Sequence, residues 1–336
     1  MLPNSQNANY PKPSLHSCVE GANTPSYSPR HPTGGFVTWE AFAKINLYLD
    51  VANKRPDGYH NIVSILQSVD LSDVLTIGYS SPDEKEYTAI GDIRLFVEGT
   101  DSVLANLPKD ETNLAVRAAQ HMMKMAGVEQ PIYIDLLKRI PIGAGLAGGS
   151  SDCAAALLGA NELFGLNLEL SELIKIGLEF GADVPFCLFG GTALGEGVGE
   201  RLTAMPNHPE CAILVVNPGI HISTRDMFPK LNLGPTRPRP QIPIQDIYSA
   251  VINTNLHGII SSVYNVFTSI ASEEYPVISE IIADIINLGA IGAGMTGTGG
   301  TVFGYFEDKD EATLAYQMMK NSYPDTFLTK PVARKE

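Results

Sequence analysis

One stretch of the chain combines residue types that could bind an anion. Ile140-Pro141-Ile142-Gly143-Ala144-Gly145-Leu146-Ala147-Gly148-Gly149-Ser150-Ser151-Asp152 sets four glycines and two serines ahead of the helix-forming run Cys153-Ala154-Ala155-Ala156-Leu157-Leu158. Glycines let backbone N–H groups converge on a ligand, and a helix N-terminus adds unpaired donors and a favourable dipole. That chemistry suits phosphate. Gly143-x-Gly145-x-x-Gly148 also matches the dinucleotide fingerprint by letter. The preceding strand argues against that reading. It carries Asp135, Lys138 and Arg139, whereas a fingerprint strand is buried on both faces and continuously apolar. The acidic ribose partner expected about twenty residues on is not distinct, since Glu162 comes too early and Glu169 and Glu172 sit at a loop and helix start, and no Gly-Lys-Ser/Thr ending marks a Walker loop.

Four other places carry reactive side chains. Asp183 lies in Gly181-Ala182-Asp183-Val184-Pro185. It is either a turn or capping carboxylate or a general base for a substrate hydroxyl. Lys44 interrupts an apolar strand, as an edge gatekeeper or as a site cation. Asn46, two residues on, shares its strand face. Tyr59-His60 follows the turn Pro56-Asp57-Gly58. Phe228 sits in Ser223-Thr224-Arg225-Asp226-Met227-Phe228, and a second glycine cluster, Met295-Thr296-Gly297-Thr298-Gly299-Gly300, allows close backbone approach.

Periodicity supplies the elements that must position them. Val37 to Val51 reads as a strand, Asn61 to Asp70 and Asp73 to Tyr79 as two more, and Asp92 to Glu98 as another. Thr112 caps a helix over Asn113 to Ala126 that Gly127 closes. Ile132 to Ile140 alternates, as a strand with one partly solvated face. Lys138, at its end, is a lysine that either packs its stem and snorkels its ammonium into water or serves the site. Helices follow from about 151 to 164 and from Ser171 to near Gly181. Cys211 to Val216 is an apolar strand. Further helices fall at roughly 245–256, 259–271, 276–288 and 310–321.

At 336 residues, 44% apolar and 18% charged, the chain has the composition of a folded protein with room for two domains. A formal net charge of −14 argues against nucleic-acid and anionic-membrane partners. Cys18, Cys153, Cys187 and Cys211 are scattered without a C-x-x-C pair, which fits a reducing, cytoplasmic setting. Residues 1–35 hold six prolines and no apolar periodicity, the pattern of a disordered extension. His16, His31, His121, His208, His221 and His257 show no metal-binding spacing.

Pro141 to Ser151 resembles the phosphate loop of the GHMP kinase superfamily. Three further blocks extend the resemblance over about Trp39 to Phe306. They are Ala43-Lys44-Ile45-Asn46-Leu47, Arg55-Pro56-Asp57-Gly58-Tyr59-His60, and Met295 to Gly300; Gly181 to Phe186 accompanies the loop. Phe42 departs from the pattern, where the family usually has proline.

The resemblance implies an α/β (α+β two-domain) GHMP kinase fold. Its N-terminal mixed domain, residues 36–205, resembles a small-subunit ribosomal protein fold and holds ATP. A C-terminal α+β domain spans 206–325, with a tail over 326–336 and the active site between the domains. The Pro-Asp-Gly-Tyr-His block implies a small-molecule acceptor of the cytidine diphosphate sugar-alcohol class, phosphorylated on its 2-hydroxyl by ATP with Mg²⁺ in isoprenoid precursor synthesis. Lys44 and Asp183 would pair as the catalytic residues. Asn46, Tyr59, His60, Phe228, Thr296 and Gly297 would bind the acceptor, its base stacked between Tyr59 and Phe228 and hydrogen-bonded by His60. Asn113, Lys138 and Pro141 to Ser151 would bind ATP, with a Ser150 or Ser151 hydroxyl touching Mg²⁺ in place of a protein metal cage. A monomer or weak homodimer is expected. A homoserine or mevalonate type kinase, or a non-catalytic nucleotide or metabolite sensor on the same fold, stands as the alternative. Tyr59-His60 weighs against the first, and Lys44 with Asp183 against the second.

Overall fold

The computed structural model describes residues 35–79, 86–231, 233, 240 and 242–334. Apart from Gly35, the extension expected over residues 1–35 lies outside them.

Two 19-residue strands form the backbone of the first sheet. β1 (Phe36–Lys54) and β2 (His60–Gly78) pair antiparallel around the Arg55–Tyr59 turn. Gly58 supplies the φ of +91° that this turn needs, and Tyr59 N donates to Asp57 Oδ1 at 3.1 Å. The two strands expected over residues 61–79 are therefore one. The polar Asp70-Leu71 break is a register irregularity instead of a turn: Phe42 pairs with Ser72 but Ala43 pairs with Val69.

The sheet continues through β3 (Thr88–Ile90), β4 (Ile93–Glu98), a one-turn α1 (Asp101–Leu104), α2 (Leu114–Ala126) and β5 (Ile132–Leu137). After β5 come α3 (Gly148–Leu163), α4 (Leu170–Phe180), α5 (Val184–Phe189), β6 (Thr192–Gly197) and β7 (Arg201–Ala204). The strand order is β3-β4-β5-β2-β1, with β6 and β7 extending from the first half of β2. Only β4 and β5 run parallel within this set, so it is no doubly wound dinucleotide sheet. Alanines of α3 pack on Leu75, Ile77 and Ile134. Gly159 brings α3 close, since a Cβ there would fall 2.8 Å from Ile77.

β5 differs from expectation. It is buried on both faces, Asp135 included. Its charges lie inside the fold: Asp135 is buried opposite Thr76 in the register, and Lys138 turns its ammonium inward onto two carboxylates.

The second sheet is antiparallel, in the order β10 (Gly292–Thr296), β11 (Thr301–Phe306), β8 (Ala212–Asn217) and β12 (Asp325–Thr329). α6 (Thr224–Met227), α7 (Ile244–Ile252), α8 (Leu256–Ser261), β9 (Tyr264–Asn265), α9 (Thr268–Glu274), α10 (Val277–Asn287) and α11 (Lys309–Ser322) complete the chain. The helix expected over 259–271 breaks into α8 and α9, with β9 between them joining β1 in parallel at Tyr48 and Leu49. Asn265 accounts for the break. Its side chain donates to Met295 O and Gly297 O and accepts from Phe267 N, and these bonds replace a helical path. Ile45, Tyr48 and Val69 of the first sheet share a core with Ile213, Val215 and Phe303 of the second.

The tail expected from residue 326 begins inside a strand. Thr326 to Thr329 complete β12, and Pro331 bridges back to Val69. Among the described residues no helix is long and apolar enough to cross a membrane.

Candidate active site

The glycine loop after β5 is flanked by a buried charge cluster. Lys138, 2% exposed, donates to Asp73 Oδ2 and, at 2.7 Å, to Asp152 Oδ2. Asp73 Oδ1 accepts from the backbone N–H groups of Arg139 and Ile140, at 2.5 and 2.9 Å. Burial opposes charge on Lys138, but Asp152 and Asp73 outweigh it and raise its pKa. Burial also pushes the Asp152 carboxyl up, to about 8, and its Oδ1 is buried without a hydrogen bond. Lys138 therefore neither snorkels nor offers its ammonium to a ligand here. It ties the end of β5 to the start of α3 and sets the loop between them.

The loop reverses on positive φ angles at Gly143 (+69°), Gly145 (+76°) and Ala147 (+61°), and α3 starts at Gly148. The N-cap of α3, Ala147, makes no side-chain capping bond to its first-turn N–H groups. The two expected serines are placed differently. Ser151 is buried and donates to Phe42 O at 2.6 Å and Ala147 O at 3.0 Å, which turns it into the protein. Ser150 is half-buried, its Oγ 4.0 Å from where a Cβ of Gly181 would stand. Gly181 is two residues before Asp183, so the loop abuts the segment with the candidate base.

Asp183 occupies the N-cap position of α5, yet its side chain makes no capping bond. The capping reading is thereby set aside. The carboxylate is half-buried, and Pro185 follows in the first turn of the helix. Lys44, on β1, is 4% exposed. Its ammonium donates to Asn46 Oδ1 at 2.8 Å, and among the described residues it forms no ion pair with Asp183. Lys44 meets Asn46 because β1 puts the two side by side on one face. Both charges still bear on Cys187: burial, opposed by the Ser151 hydroxyl, pushes that thiol up to about 12, with Asp183 adding to the shift and Lys44 reducing it.

Asn46 is fully engaged. Its Oδ1 also accepts from Gly297 N at 2.9 Å and Thr296 Oγ1 at 3.1 Å, and its Nδ2 donates to Ser64 Oγ at 2.9 Å. Its own N–H donates to Thr296 Oγ1 at 3.0 Å. Asn46 and buried Thr296 thus join the two sheets instead of reaching outward. The second glycine cluster lies against the first: a Cβ on Gly145 would fall 2.9 Å from Thr296 O, and one on Gly297 3.0 Å from Gly145 Cα.

At the acceptor end the structure brings His60 to Phe228, with ring centroids 4.6 Å apart and planes at 32°. Tyr59, expected opposite Phe228, is 64% exposed. Burial first, then the charge of Lys54, hold the His60 imidazole below its ordinary pKa.

Asn113, not Thr112, caps α2. Its Oδ1 accepts from Ala115 N and Val116 N, its Nδ2 donates to Pro108 O, and Thr112 bonds Asp110 instead. His221 escaped the sequence reading. Its ring stands where a Cβ of Gly143 would be, at the rim of the loop. Spacing carried no signal for it, because it comes from the segment after β8. Among the described residues no group of three metal-ligating side chains occurs.

Residues 113–191 match the family model of the GHMP kinases N terminal domain, and residues 252–325 that of GHMP kinases C terminal. The chain is 40% identical over 290 residues to a 4-diphosphocytidyl-2-C-methyl-D-erythritol kinase of Caldicellulosiruptor saccharolyticus, covering 86% of this chain and 95% of the relative. It is 39% identical over 296 residues to the enzyme of that name from Acetivibrio thermocellus, covering 88% and 99%. A crystal structure of a 4-(cytidine 5'-diphospho)-2C-methyl-D-erythritol kinase superposes with a TM-score of 0.70 at 30% identity, over 88% of this chain and 99% of that one. The homoserine kinase of Cytophaga hutchinsonii, at 20% identity and a TM-score of 0.65 over 94% and 98% of the two chains, shares the fold.

Proposed function

The chain belongs to the 4-diphosphocytidyl-2-C-methyl-D-erythritol kinase family of the GHMP kinases, and from that premise we propose that it transfers the γ-phosphoryl group of ATP to the 2-hydroxyl of 4-diphosphocytidyl-2-C-methyl-D-erythritol. It is an ATP-dependent small-molecule kinase. The step fits the non-mevalonate route to isoprenoid precursors.

The observation that carries the mechanism is the Asp183 carboxylate, which makes no capping bond and stands in the segment that meets the glycine loop at Gly181 and Ser150. Phosphoryl transfer asks mainly for alignment and charge neutralisation, with a carboxylate to receive the hydroxyl proton. Asp183 takes that proton. Lys44, held by Asn46, stabilises negative charge as the hydroxyl oxygen attacks. Gly143 to Ser150 and the start of α3 cradle the donor phosphates. The half-buried Ser150 hydroxyl would hold Mg²⁺, which would supply neutralisation of the phosphate charge. A neutral His60 offers one donor and one acceptor to the cytosine edge, and Phe228 and Tyr59 offer stacking faces. Binding the base between Tyr59 and Phe228 requires His60 and Phe228 to part. Residues 36–205 form the ATP-binding domain in this reading, and the cytoplasm is its setting.

A coupled assay with the cytidine acceptor, homoserine and mevalonate tests the assignment. Turnover with the first alone is expected. Equal turnover with all three, or none with the first, overturns it. Asp183→Asn should lower kcat at least ~100-fold with ATP binding intact.

A further inference from the structure

After Thr329 the chain crosses the irregular middle of β2. Lys330 O accepts from Asp70 N and Val332 N donates to Ser68 O, both at 2.9 Å. Gln67 Nε2 donates to Val332 O at 3.0 Å, and Gln67 Oε1 accepts from Thr192 Oγ1 at 2.6 Å. Ser68 N donates to Gly191 O at 2.9 Å. Residues 330–332, β2 and the segment leaving α5 are thereby tied into one hydrogen-bonded unit.

The strap ends on α5 itself. The Arg334 guanidinium lies over the Phe189 ring, 4.0 Å from its centroid, and Arg334 N donates to Asn207 Oδ1 at 3.2 Å. Gly191, with φ of +71°, admits this approach, because a Cβ there would fall 2.5 Å from the Arg334 Cβ. Phe189 is the last residue of α5, and Asp183 is the N-cap of the same helix. A helix of six residues is not held straight by its own hydrogen bonds, so its setting depends on what grips it. Buried Val184, Phe186 and Leu188 hold its inner face. The strap holds the outer side of its far end.

We propose that residues 330–334 are a clamp on α5 that fixes Asp183 against the phosphate loop, with Arg334 as a positioning residue. The proposal rests on the role of Asp183 given above. A shift of about 1 Å in a reacting group can cost ~100-fold in rate, so a modest rotation of α5 is enough to matter.

Arg334→Ala and Phe189→Leu, each in the full chain, break the clamp from opposite sides. Both should lower kcat about tenfold, a fraction of that 1 Å cost, with KM for ATP and for the acceptor little changed and the melting temperature near that of the parent. A chain ending at Thr329 should lose at least as much. Parental kcat in both point variants overturns the proposal. So does a fall in melting temperature with full kcat per folded molecule, which marks the strap as structural support only. Asp183→Asn separates the two claims: if it stays active, the base assignment fails, whereas an inactive Asp183→Asn beside fully active Arg334→Ala and Phe189→Leu condemns the clamp alone.

Discussion

The Lys44 ammonium donates to Asn46 Oδ1 at 2.8 Å, and the same oxygen accepts from Gly297 N at 2.9 Å. One carboxamide therefore orients the site cation and fastens the second glycine loop. Asn46→Ala strips three donors of their acceptor in a buried setting. It should cost about 1–3 kcal/mol of stability and lower kcat, read by urea denaturation and steady-state kinetics. A variant with parental stability and kcat would show that neither bond matters.

Lys138 and its two carboxylates respond unequally to substitution. Lys138→Met leaves Asp73 and Asp152 buried without a cation and should cost ~3–5 kcal/mol. Asp152→Asn should be far milder, because burial already disfavours charge on that carboxyl and the carboxamide oxygen can still accept from Lys138. Equal losses in denaturation midpoint for the two variants would contradict this division.

His60 carries a pH signature. Its pKa is lowered, so the neutral ring is the folded form's preferred state, and the imidazolium gains population only as pH falls below 6.5. The KM for the cytidine acceptor should stay flat from pH 7 to 8, within the range where the ring is neutral. It should then rise on acidification. Lys54→Met removes the positive charge that assists burial and should move the rise to higher pH. His60→Ala should raise KM throughout and abolish the dependence. A KM unaffected by any of these changes excludes His60 from base recognition.

Gly145 combines a φ of +76° with contact to the other glycine loop. Gly145→Ala is strained by conformation and pressed against Thr296 O, a backbone atom that cannot turn aside. A loss of more than about 1 kcal/mol is expected, together with a raised KM for ATP. Calorimetry and initial rates will show it, and a parental KM would mean the loop can relax.

Much of this site was legible in residue order. A glycine loop before an alanine-rich helix specifies a phosphate cradle through local conformation alone, and Lys44, Asn46, Asp183 and His60 stand in short blocks whose resemblance to the GHMP kinases extends along the chain. Local chemistry also placed Gly127 at the end of α2 and the turn before Tyr59. Tertiary structure decided which of those groups are taken up inside the protein. Asn113 and Ser151 are absorbed as a cap and a buried hydroxyl, and Asn46 as a bridge. Lys138 reads in sequence as an ATP-site or snorkelling lysine because its partners Asp73 and Asp152 lie 65 and 14 residues away. The strap at residues 330–334 has no local signature at all, since a segment this short has no period and gains order only from the surface it crosses. Period and turn chemistry act over a few residues; the destination of a buried charge or a terminal segment depends on contacts that exist only once both sheets are packed.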